Sequence, residues 1–162
     1  MNTARKVSFV TGTIDFRYDF QSDIVFAKPR WTLDSKAEVT RWYDMHSRYF
    51  SARFKRPKDL VSVHDGLEVA PQVVALFESY SARLHESLVR FSAVVSAKPR
   101  LRLAGRAGGS NVTTIEALTV DEALVAIRAI RESESRSRVS GEVRVPRATL
   151  AGLTSVDLES KK

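Results

Sequence analysis

In "DLVSVHDGLEVAPQVVALF", residues 59–77, the hydrophobic period changes from that of a strand to that of a helix. Val61 and Val63 alternate with Ser62 and His64, the period-two pattern of a strand. Asp65 and Gly66 supply turn chemistry. Pro71 suits a first helical position, and Val73, Val74, Phe77, Tyr80, Leu84 and Leu88 then trace one helical stripe. The stretch reads as a strand passing through a corner into a helix, the unit from which parallel sheets are built.

Upstream, "KVSFVTG" (residues 6–12) predicts a short strand and "DIVFAKPRWTL" (residues 23–33) a second. The second places Ile24 and Phe26 on one face and Val25, Ala27 and Trp31 on the other, with Pro29 confining its far half to an edge, a bulge or a turn. Between them "TIDFRYDFQS" either extends one of these strands or folds over as a loop. Ser35 and Glu38 have capping-box spacing and open a helix whose stripe is Val39, Trp42, Tyr43, His46, Tyr49, Phe50 and Phe54. Pro57, in the basic cluster "ARFKRPKD", stops it.

Downstream, "RFSAVVSA" (residues 90–97) is a further strand, and the loop-rich segment after it holds a short strand on each side of "GRAGGSN". Thr119 and Glu122 repeat the capping box ahead of a helix carrying Val120, Ala123, Leu124, Ile127 and Ile130. Strands alternating with helices predict an α/β domain over residues 1–132, with a mixed sheet of about four to five strands covered by about three helices. The polar, serine-rich residues 133–162 read as a flexible tail.

The composition suits one soluble domain. With no cysteine, disulfides, thiol catalysis and thiolate metal sites are excluded, and a reducing cytoplasm fits. Neither a signal-peptide core nor a run long enough to span a membrane is visible. The net charge of +7 suits an anionic partner. Residues 87–115 contain no acidic side chain, and Lys98, Arg100, Arg102 and Arg106 fall within them as candidate anion-binding residues.

The three histidines show no metal-ligand spacing. His46 lies on the apolar stripe of its helix and reads as a hydrogen-bonded boundary residue, and His85 as structural or exposed. His64 and Asp65 are neighbours, so within a strand they point to opposite faces and form no dyad. "GRAGGSN" is followed by a strand-like run in place of a helix, which argues for a hairpin loop over a phosphate cradle. In "RWYDMHSRYFSARF" arginines interleave with aromatics; such a helix packs a core, stacks on nucleic acid or meets a protein partner.

The element order, "DLVSVHDGL" leading into "APQVVALF", and "TIEALTVDEALVAIRAI" together resemble the STAS domain family, in its SpoIIAA-like branch of anti-sigma-factor antagonists. The resemblance covers residues 6–132 and implies a non-enzymatic, cofactor-free protein-interaction module of the bacterial cytoplasm with a regulatory or scaffolding role. In regulated members a serine at the start of the helix after the third strand is phosphorylated. The matching positions here are Val69, Ala70, Pro71 and Gln72, without that serine. The implied interface with an unidentified protein partner is His64, Asp65, Gly66, Glu68 and Gln72. The alternative is a basic anion-binding domain contacting nucleic acid or acidic lipid.

Overall fold

Residues 12–98 and 114–142 are described by the structure, a computed structural model. The expected strand at residues 6–12 lies outside them except for Gly12. The first described strand, β1 (Thr13–Asp19), is formed instead by the segment whose sequence allows strand or loop. It pairs antiparallel with β2 (Ile24–Leu33). Their connection is held by Asp19, whose carboxylate accepts from Ser22 Oγ at 2.6 Å and Gln21 N at 3.1 Å. Asp23 takes a left-handed conformation there, φ 56°, which short polar side chains tolerate.

Helix α1 (Lys36–Arg53) starts as its capping box predicts, with Ser35 Oγ accepting from Glu38 N at 3.3 Å. It buries Val39, Trp42, His46 and Phe50. Strand β3 (Lys58–Val63) follows and lies parallel to β2. The residues after it do not continue the strand: the chain turns at His64–Leu67 and forms a separate strand, β4 (Leu67–Val69). A 3-10 turn at Pro71–Val73 precedes α2 (Val74–Leu88), which runs into β5 (Val89–Val95). Strand β6 (Thr114–Ala117) and helix α3 (Val120–Glu142) complete the described chain. The strand expected before "GRAGGSN" falls on residues that are not described.

The sheet order is β1-β2-β3-β5-β6, with β4 pairing on β2, and every pair except β1–β2 is parallel. Val25, Ala27 and Leu60 pack under α1 and α2 together with Trp42, Phe50, Phe77 and Leu84. On the opposite face Ile24, Val61, Ala93 and Val95 pack under Ala123 and Ile127 of α3. Covered on both faces, β5 reads as a nearly continuous apolar run. The sequence alternation of Ile24/Phe26 against Val25/Ala27 corresponds to these two faces.

Pro29 does not end β2. It is fully buried in the middle of the strand and lies opposite Ile14 of β1. On the other side of β2, pairing with β3 stops at Ala27 and pairing with β4 begins at Trp31. Trp31 N donates toward this side, to Gly66 O at 3.0 Å, so the period of two turns the nitrogen of Pro29 the same way. Its missing N–H therefore falls in the gap between two neighbours and removes no ladder bond.

The chain divides into two compact units, Met1–Ile127 and Arg128–Lys162. In the second, the polar stretch expected to be a tail begins as a continuation of α3 to Glu142. No proline interrupts it, and Glu132 and Arg136 stand 3.9 Å apart at an i,i+4 spacing that supports a solvated helix. Residues 143–162 are not described.

Asp59 is fully buried and receives a two-pronged grip from Arg90, Nε to Oδ1 at 2.8 Å and Nη2 to Oδ2 at 2.9 Å, which joins β3 to β5. Removing Arg90 takes both of these bonds from a carboxylate that is held away from water. Arg90→Ala is expected to lower the unfolding free energy by about 3 kcal/mol. Lys58→Ala, which breaks the more exposed pair with Asp23, should cost about 1 kcal/mol or less. Urea denaturation of both variants checks the ranking, and equal losses would show that burial of Asp59 is not what makes its pair matter.

Candidate functional site

The corner after β3 is strapped to its surroundings by backbone hydrogen bonds. His64 N donates to Val95 O and Leu67 N to His64 O, both at 2.9 Å, while Ala70 N donates to Leu33 O at 2.8 Å. Asp65 Oδ1 accepts from Ala97 N at 3.2 Å, and Gln72 Nε2 donates to Asp34 O at 3.1 Å. Gly66 is needed for a close approach: a Cβ there would stand 2.9 Å from Pro29 O. These contacts hold the corner against the far half of β2 and the start of α1.

Between them opens a cleft of about 740 Å³ lined by Arg30, Trp31, Asp34, Glu38, Asp65 and Glu68, among others. It lies beyond the carboxyl ends of parallel strands, where open α/β sheets place their binding crevices. On a chain of net charge +7 its walls are acidic, with four carboxylates against Arg30. Glu38 is held by Arg41 at 3.1 Å and by the indole N–H of Trp31, which fixes one wall.

Of the residues expected at a partner interface, Asp65, Gly66, Glu68 and Gln72 are exposed; the first three line this cleft, and Gln72 is bonded to the backbone of Asp34 on its wall. His64 does not belong with them. Alternation along β3 points Ser62 and His64 at the face covered by α1 and α2, and His64 is only 5% exposed. Of the expected anion-binding residues, Arg100, Arg102 and Arg106 lie outside the described residues. Lys98 is exposed, with its Nζ 3.7 Å from Glu68 Oε1, so it is the neighbour of an acidic wall.

The histidines come together although their spacing gives no sign of it. His46 from α1, His64 from the end of β3 and His85 from α2 line one small internal cavity with Ser62, Ser81 and Ser92. Periodicity marks His46 as inward-facing but sets His64 on the polar side of its strand, and only the packing of two helices on that sheet face makes them neighbours. Trp42 and Phe16 pack on the His46 ring at 4.4 and 5.1 Å between centroids, and Phe77 lies 6.4 Å from that of His64. Burial pushes all three imidazoles down, His46 and His85 to about 4 and His64 to about 3. Repulsion among the rings adds to the effect on His46 and His64, and Asp65 opposes it at His64. The cluster is therefore neutral at pH 7. Among the described residues no group of three His, Asp or Glu side chains is placed to hold a metal.

These lowered values tie stability to pH. Above pH 6.5 the imidazoles are neutral in both folded and unfolded chains and contribute no difference. As pH falls below 6.5 the unfolded chain takes up protons that the folded chain refuses, so stability is lost down to about pH 4. The loss is expected to reach about 2 kcal/mol for each histidine by pH 5. Urea midpoints measured across this range should fall steeply, and His85→Leu should make the dependence shallower. A flat profile would show that the rings are not held neutral.

No known protein family's profile matches the chain, and no curated protein does. Among solved structures, the chain is similar to an uncharacterized protein of the DUF3478 family with a SpoIIAA-like fold from Shewanella loihica PV-4. The two share 12% identity over 70% of this chain and 90% of that one, with a TM-score of 0.51. At that identity the likeness concerns the fold: this chain has a SpoIIAA-like fold.

Proposed function

We propose that the chain is a non-enzymatic, STAS-like protein-interaction module of the bacterial cytoplasm, with a regulatory or scaffolding role. It uses the corner after β3 as its contact surface. The observation that carries this reading is the convergence of Asp65, Gly66 and Glu68 at one open cleft, with Gln72 bonded to Asp34 on its wall, on a corner tied by backbone hydrogen bonds to two strands. A pre-formed surface of this kind binds without an ordering cost. Its acidic walls suit a partner that presents basic side chains. The histidine cluster, which is the clearest grouping of catalytic residue types among the described residues, is buried and so favours binding over catalysis. With Pro71 and Gln72 where regulated relatives of the fold carry a phosphorylated serine, binding is constitutive in this reading.

Capture from nuclease-treated native extract on the full chain tests the proposal, at about 0.05 M and about 0.15 M salt, a range over which phosphate contacts weaken markedly. A discrete protein should be retained at both concentrations and lost with the double variant Glu68→Arg/Gln72→Arg. It should be retained by Arg100→Glu/Arg102→Glu/Arg106→Glu. Equal retention by wild type and the double variant would remove the corner from the interface. Recovery of nucleic acid or lipid alone, lost at the higher salt, would overturn the module itself.

A further inference from the structure

Four buried polar atoms have no hydrogen-bond partner among the described residues and belong to residues that line the internal cavity: Trp42 Nε1, His46 Nε2, His64 Nδ1 and Ser92 Oγ. Leaving four such groups dry would remove a large share of a domain's stability. The free space of this cavity is about 20 Å³, enough for one water molecule and too small for an organic ligand.

The chemistry of the four groups selects the occupant. An indole N–H only donates. His46 Nδ1 stands 2.9 Å from Trp42 O, and a carbonyl only accepts, so Nδ1 carries the proton and Nε2 presents a lone pair. A neutral His64 with its proton on Nε2 presents a second lone pair at Nδ1. The Ser92 hydroxyl rotates to donate. The lining thus offers two donors and two acceptors, the complement of a single water. A metal cation would face the indole N–H, and the histidines are not placed to hold one.

We propose that this cavity binds one ordered water molecule, which accepts from Trp42 Nε1 and Ser92 Oγ and donates to His46 Nε2 and His64 Nδ1. The water links α1 to β3 and β5 across the polar layer between the sheet and its helices. Adding a proton to either ring would turn an acceptor into a donor and confront the water with three donors. The other titratable groups acting on the cluster are His85 from α2 and Asp65 at the end of β3.

Long-range proton–nitrogen correlation spectra of the full chain at about pH 7.5, where unperturbed imidazoles are also mostly neutral, read the two tautomers directly. His46 should carry its proton on Nδ1 and His64 on Nε2, and one equivalent of zinc should shift neither. A high-resolution crystal structure should show a single water about 2.7–3.2 Å from all four atoms. An empty cavity, a His64 protonated on Nδ1, or a zinc-dependent shift of the ring nitrogens would each overturn the assignment.

Discussion

Pro29 has no N–H to give, and the arrangement of the site follows from where that absence falls. Strand β2 is ten residues long, and its parallel neighbour changes at the proline. Before it, β3 supplies the ladder; after it, β4 does. The chain between these two strands must leave the plane of the sheet and return, and that excursion is the corner of His64 to Leu67. Gly66 fits there because it approaches the Pro29 carbonyl too closely for any side chain. The cleft and the exposed carboxylates of Asp65 and Glu68 follow from this one break in the pairing.

The second constraint is that parallel strands joined by helices bury both faces. Residues that would be half-solvated on an antiparallel edge become interior here, so Ser62, His64 and Ser92 end in a layer closed off from bulk solvent beneath α1 and α2. A polar layer in such a place is tolerated only when uncharged and satisfied. The same layer that keeps the imidazoles neutral also supports the backbone at residue 64, from which the cleft wall begins. The cleft runs against the overall positive charge of the chain: among its described lining residues four carboxylates face Arg30.

Much of the fold was legible from local pattern. The capping boxes at Ser35 and Thr119 mark helix starts that the structure reproduces, with Glu122 N donating to Thr119 Oγ1 at 3.2 Å. The two-faced alternation of β2 and the helical stripes of α1 and α2 identify the core correctly. What was not legible depends on pairing partners distant in sequence. The split of residues 59–69 into two strands follows from a gap at Pro29, some thirty-odd positions upstream, and no local period encodes it. The segment after Arg131 lacks an apolar stripe, so its helix is invisible to burial patterns and rests on propensity and side-chain pairing. Of the candidate site, the exposed corner was readable from turn chemistry. The meeting of His46, His64 and His85 was not, because it is created by two helices docking on one face.

Strand β4 contributes three residues to the sheet, held on β2 alone. Elements of that size, with few ladder bonds and one neighbour, open at lower free energy than the strands around them. Strands β3 and β5, by contrast, are paired on both sides and covered on both faces. Pre-formed as it is, the corner is thus the part of the described sheet whose separate opening would cost less than unfolding the whole.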